Sequence, residues 1–259
     1  MKKLLFTFAL MLLSFTSNAQ TTVKGDMNDD GTLTISDVMM MVDIILGNMP
    51  DNQKPSFLTC PDDNHPHIID LGLPSGTKWA CCNVESPVPE GYGGRYAWGE
   101  TDKKNEFTWS NYIHCDGSSS TCHYLGYSIC GTEYDVAHVK WGGSWVMPSK
   151  DDFDELTQYC NIEKSAVKGI KGGKFTSKIN GSSIFIPAAG HGYKDIKYIP
   201  GQYGIYYCDL WTSTKKYSYY TEANRFCYTV QQPGGPNNIW GWGSNTPRFI
   251  GASIRPVCK

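Results

Sequence analysis

The chain is poor in arginine: of its 23 basic residues only Arg95, Arg225, Arg248 and Arg255 carry a guanidinium group, and the formal net charge is -2. No basic stripe is present to neutralise a phosphate backbone, so nucleic acid is not an expected partner. Long apolar stretches are equally scarce. One uncharged run covers residues 4–15 behind Lys2 and Lys3 and is followed by Ser17-Asn18-Ala19. It is too short to span a bilayer and has the layout of a cleavable export signal, so residues 1–19 read as a signal peptide and no membrane span is expected in the mature chain. Sustained helical periodicity is missing as well, while glycine (27), tyrosine (16) and tryptophan (8) are abundant. That combination excludes a helix bundle and points to a loop-rich α+β domain built mainly of strands. The expected location is secreted or at the cell surface, the periplasm included.

All ten cysteines fall between Cys60 and Cys258. In an exported chain an even count reads as disulfides, with the connectivity left open. Cys115, Cys122 and Cys130 lie with His114 and His123 in a serine-rich stretch, but their spacing matches no zinc template and is read as a stapled loop.

Acidity is concentrated near the N-terminus, where residues 20–50 hold Asp26, Asp29, Asp30, Asp37 and Asp43 against Lys24 alone. Counted from Asp26, the side chains of Asp26, Asn28, Asp30 and Asp37 fall at positions 1, 3, 5 and 12 of a twelve-residue loop. Gly31 takes the sharp turn at position 6, and the Thr32 carbonyl supplies position 7. Alternate oxygens around a glycine turn, closed by a late carboxylate, wrap a hard cation, so calcium is the expected ion. Thr34 and Asp37 also have capping-box spacing, which predicts a helix over 35–46 ended by Gly47. Val38, Met41, Val42, Ile45 and Leu46 share one of its faces, widened by Met40 and Ile44. So short a helix is not stable alone, and its apolar stripe must pack either on the chain's own large domain or on a second protein. Closure by Asp37 rather than glutamate resembles the dockerin form of the loop. Dockerins carry two such repeats and dock onto cohesin domains; one repeat is present here, and Asp62-Asp63-Asn64 does not rebuild a second.

Residues 51–66 are polar and contain proline, the composition of a linker, and the large domain is expected over 67–259. Two short helices are predicted at 133–139 and 149–160, the second with Ser149 and Asp152 at capping spacing and Phe153, Leu156 and Cys160 on one face. Asp151, Asp152, Asp154 and Glu155 read as a solvated face of that helix. Strand-like alternation appears at 183–186 and 225–230.

Six blocks in this domain carry a resemblance: Asp70-Leu71-Gly72-Leu73-Pro74-Ser75-Gly76-Thr77-Lys78-Trp79-Ala80, Tyr96-Ala97-Trp98-Gly99-Glu100, Trp141-Gly142-Gly143-Ser144-Trp145-Val146-Met147-Pro148, Ile186-Pro187-Ala188-Ala189-Gly190, Trp211-Thr212-Ser213-Thr214 and Ser253-Ile254-Arg255-Pro256-Val257. In this order they resemble the Fibrobacter succinogenes major paralogous domain family, exported modules of Bacteroidota similar to the C-type lectin-like superfamily. The resemblance implies a twisted antiparallel sheet with two short helices, long loops and a closing C-terminal strand. It also implies a pair between Cys82 and Cys160, positions where family members often carry cysteine. The superfamily includes formylglycine-generating enzymes, whose motif is not matched around Cys227 or Cys258.

The stretch from Arg225 to Arg248 holds Tyr228, Asn237, Asn238, Trp240 and Trp242 among glycines. Sugars are held by stacking on aromatic rings while amides and guanidinium groups bond their hydroxyls, so Arg225, Tyr228, Asn237, Asn238, Trp240 and Trp242 are the candidate glycan platform. The alternative for the tryptophans is core filling under long loops. Gln231-Gln232-Pro233-Gly234 and Trp240-Gly241-Trp242 lack the carboxylates of a calcium-dependent lectin site. No catalytic motif is found, and the expected function is non-catalytic binding of glycans or surface proteins. A cell-surface scaffold or adhesion component and an accessory enzyme of polysaccharide degradation are the alternatives.

Overall fold

The computed structural model describes residues 33–45, 67–194, 196–197, 206–217, 221–231, 239–242 and 246–259. The signal segment, the linker, loop positions 26–32, and Asn237 and Asn238 lie outside the described residues. The chain divides into two compact units, 1–48 and 49–259.

In the first unit helix α1 (Ile35–Ile45) begins where the capping spacing puts it. The Thr34 backbone N–H donates to Asp37 Oδ2 at 2.6 Å and the Thr34 hydroxyl reaches the same oxygen at 3.1 Å. The Ser36 N–H in turn donates to Thr34 Oγ1 at 3.2 Å. Two of the otherwise unpaired donors of the first turn are thereby satisfied.

The second unit is a mixed domain of antiparallel sheets and few helices. It opens with β1 (Ile68–Ile69) and β2 (Lys78–Ala80), followed by α2 (Val136–Trp141), β3 (Trp145–Val146) and α3 (Lys150–Tyr159). Then come β4 (Cys160–Val167), β5 (Ile170–Ser177), β6 (Ser183–Pro187), β7 (Gly192–Tyr193) and β8 (Ile196–Lys197). The chain ends through β9 (Tyr206–Lys215), β10 (Ala223–Gln231), β11 (Ile239–Trp242) and β12 (Val257–Cys258). The sheets are ordered β1-β2-β12-β3, β4-β5-β6, β11-β10-β9 and β7-β8. Strand β12 thus lies between β2 and β3, with Val257 opposite both Trp79 and Val146.

Capping chemistry starts both helices of this unit. Asp135 caps α2 and also accepts from the N–H groups of Gly131 and Met147, at 2.9 Å each by Oδ2. The turn after α2 needs the glycines at 142 and 143, which have φ of 69° and 55°, and it brings Trp141 edge-on to Trp145 at 5.1 Å. In α3 Ser149 and Asp152 form the predicted capping box. The expected solvated acidic face of α3 needs correction: Asp152 is buried, takes the Ser149 N–H and hydroxyl on Oδ2, and pairs with Lys259 at 2.9 Å. Its carboxylate is satisfied by fixed donors, so water is not required.

Two apolar clusters make the interior. One holds Tyr96, Trp98, Phe107, Tyr112, Trp145 and Trp211. The other holds Trp79, Phe153, Leu156, Phe175, Phe226 and Tyr228. Arg255 is fully buried between strands: Nε donates to Asn83 Oδ1 at 2.8 Å, Nη1 to the Ala80 carbonyl at 3.1 Å and Nη2 to the Phe185 carbonyl at 2.9 Å.

Candidate binding site

Strands β9 and β10 pair with Asp209 opposite Cys227 and Trp211 opposite Arg225, while Cys208 stands opposite Tyr228 and Leu210 opposite Phe226. Facing residues of an antiparallel pair share a side, and side chains alternate along each strand. Asp209, Arg225 and Cys227 therefore occupy one face, and Phe226 and Tyr228 the other.

On the first face a polar cluster surrounds Asp209, which is 1% exposed. His191 Nδ1 lies 2.6 Å from Asp209 Oδ2 and Arg225 Nη1 lies 3.3 Å from the same oxygen. Arg95 adds a second positive charge nearby and donates to the Ala189 carbonyl beside the β6–β7 turn. Burial pushes the Asp209 carboxyl up, but the Arg225 guanidinium and His191 more than offset this and hold it down to about 2. The side chains of His191 and Arg225 remain 17% and 12% exposed. Arg225 Nε is buried without a hydrogen-bond partner, Nη1 has only its ion pair with Asp209, and the Cys227 thiol adds a further hydrogen bond to the Asp209 carboxylate. A fixed anion thus holds two cationic or donor groups whose side chains stay partly exposed.

The structure splits the expected platform. Arg225 belongs to the Asp209 cluster, whereas Tyr228, three residues on, points to the other face and is fully buried beside Phe175, 5.9 Å between ring centroids. Tyr228 is core, not platform, because a separation of three places two strand residues on opposite sides. Trp240 and Trp242 are described only as backbone partners of Tyr228 and Phe226, and Asn237 and Asn238 lie outside the described residues. His191, Asp209 and Arg95 were not candidates from the sequence. The readable signal was Asp209 itself, a carboxylate inside the apolar run Cys208-Asp209-Leu210-Trp211, which requires a partner once buried.

Among the described residues the disulfide expectation holds for one pair. Cys115 and Cys122 are bonded, with Cα atoms 4.0 Å apart, and close the serine-rich loop. Cys81, Cys82, Cys130, Cys160, Cys208, Cys227 and Cys258 are free thiols. The pair implied between Cys82 and Cys160 does not form, since the two belong to different apolar clusters. Cys208 and Cys227 are one register step apart on paired strands and so face opposite sides. Burial, reinforced by the Asp209 charge, pushes the Cys227 thiol well up, which removes the thiolate a nucleophile needs.

Among the described residues no group of three or more metal-ligating side chains converges. Of the expected calcium ligands only Asp37 is described, and it is 1% exposed. A buried carboxylate at the closing position, oriented by Thr34, suits the donor set of a hard cation. No family model matches the chain, and comparison with curated proteins and with solved structures found no match.

Proposed function

We propose that this is an exported, non-catalytic binding protein: a calcium-stabilised, dockerin-like loop-helix followed by a C-type lectin-like module that binds glycans. The observation that carries the reading is the Asp209 cluster. Its buried carboxylate fixes Arg225 and His191, whose side chains stay 12% and 17% exposed, through contacts of 3.3 Å to Arg225 Nη1 and 2.6 Å to His191 Nδ1. Ligand hydroxyls match the exposed parts of these pre-positioned side chains, because the cost of orienting them is already met in the fold. The C-terminal strand set between β2 and β3, with two short helices beside antiparallel sheets, supports the lectin-like architecture. The raised Cys227 thiol supports binding rather than nucleophilic chemistry. In the N-terminal unit Asp26, Asn28, Asp30, the Thr32 carbonyl and Asp37 would hold calcium, which supplies folding energy there and no chemistry.

A glycan array with residues 20–259, run in calcium and again in chelator, tests the reading. Specific binding should persist in chelator and fall at least tenfold in Arg225→Ala, on the order of the loss of a charge-assisted hydrogen bond. Silence in both conditions from folded protein overturns the glycan assignment. Calcium titration of Asp37→Ala and Asp26→Ala should show loss of one site with the large unit still folded; unchanged stoichiometry overturns the loop assignment.

A second reading rests on helix α1. Ile35, Val38, Met39 and Val42 follow an i, i+3, i+4, i+7 spacing and are 75%, 43%, 57% and 41% exposed. Such a stripe favours docking to a protein partner, and Val38→Asp should abolish that docking without affecting glycan binding.

A further inference from the structure

The β4–β5–β6 sheet carries a cleft of about 430 Å³ on its outer face, within the size range of small-ligand sites. The register sets this face: Glu163, Lys174 and Phe185 form one cross-strand row, and Ser165, Gly172 and Pro187 the next. The opposite face begins at Gly173, whose missing Cβ leaves room for the Tyr228 ring in the core. Gly172 acts likewise on the outer side. A Cβ there would lie 2.5 Å from Phe185 Cζ, so the glycine lets the Phe185 ring lie along the sheet as a wall of the cleft.

The walls are mainly apolar, with Ile69, Val167 and Phe185 facing the space. The polar residues of the lining are Lys174, Ser165, Ser182 and Ser183. Among the described residues none of these four groups has a side-chain hydrogen bond or ion pair, and Glu163, opposite Lys174 in the register, is exposed and does not pair with it. Every other lining residue is neutral, so Lys174 is the one charged residue in the lining, over a mainly apolar floor, with Glu163 as its exposed cross-strand neighbour. A cation in partly excluded water attracts an anion more strongly than at an open surface, and apolar walls exclude a fully hydrated ion such as free phosphate.

We propose that this cleft is a second binding site, for a small amphipathic carboxylate whose apolar body lies against Ile69, Val167 and Phe185 and whose carboxylate accepts from Lys174 and the neighbouring serine hydroxyls. The site is separate from the Asp209 cluster and does not rest on glycan binding. It calls for no bond making or breaking.

The test is calorimetric titration of residues 20–259 with 3-phenylpropionate and, in parallel, with its neutral amide. The carboxylate should bind one per chain and at least tenfold more tightly than the amide. Lys174→Met should erase that preference, Lys174→Arg should keep most of it, and Ser165→Phe should block both ligands by filling the cleft. Arg225→Ala should leave carboxylate binding unchanged, which separates this site from the glycan reading. Near-ultraviolet circular dichroism checks each variant's fold, and Lys174→Arg against wild type remains decisive if Lys174→Met misfolds. Equal binding of carboxylate and amide, no binding at millimolar concentration, or an unchanged preference in Lys174→Met each overturns the proposal.

Discussion

Asp209 shows how one buried residue sets the chemistry around it. Its carboxyl is held down to about 2, below the ordinary carboxylate value, by Arg225 and His191 working against burial. A depressed folded-state value means that the stabilisation is complete above the unfolded value, near pH 4, and is lost as the pH falls towards 2. From this group alone, wild-type stability should drop by about 2 kcal/mol across that interval. Asp209→Asn should flatten the drop and cost about 3 kcal/mol at neutral pH, because Arg225 is left buried without its counter-charge. Urea unfolding of both proteins at a series of pH values checks the sign and the size together. Gly172 makes a steric case of the same kind. A Cβ at this position would sit 2.3 Å from the Ile186 carbonyl oxygen, a backbone atom that cannot rotate away. Gly172→Ala should therefore cost at least about 2 kcal/mol in the same assay, as overpacking does in a tight core.

At the scale of elements, local signals were the readable ones. Thr34 with Asp37 and Ser149 with Asp152 each announced a helix start, and each pair makes the expected hydrogen bonds. These contacts span three residues, so the sequence contains both partners and their geometry. Ser149→Ala should cost about 1 kcal/mol, the usual value of a helix cap. Asp152→Ala should cost more, since that carboxylate also pairs with Lys259 and accepts from the Thr77 hydroxyl. Chemical denaturation of the two variants ranks them. Strand β10 was equally visible from its alternation, yet the side of it that faces solvent was not. Period-two spacing separates Arg225 from Tyr228, but only the pairing with β9 and the packing on Phe175 decide that Tyr228 is the buried one.

Across the whole molecule, the interior is joined by long-range polar contacts as well as by aromatic packing. Arg255 bonds the Asn83 side chain and the carbonyls of Ala80 and Phe185, 70 to 175 residues away in sequence. Arg255→Met should cost about 3 kcal/mol or more, because two buried carbonyls and an amide lose their donor. The single disulfide among the described cysteines closes a loop of sequence separation 7, so replacing Cys115 and Cys122 by serine should cost only about 2 kcal/mol and leave the domain folded. Alkylation of denatured, unreduced protein should label each of the seven free thiols among the described residues and spare that pair. The sequence by itself determined the strand-rich character of the large unit, its helix starts, the scarcity of basic charge and the placement of Asp37 at the head of a capped helix. All of these depend on residue type and short-range spacing. Only the tertiary structure decided which cysteines meet, that Asp209, His191 and Arg225 converge, and that Lys174 is the one charged residue lining an apolar cleft. Those outcomes depend on strand register and sheet order, where one residue of slip exchanges the buried face for the exposed one.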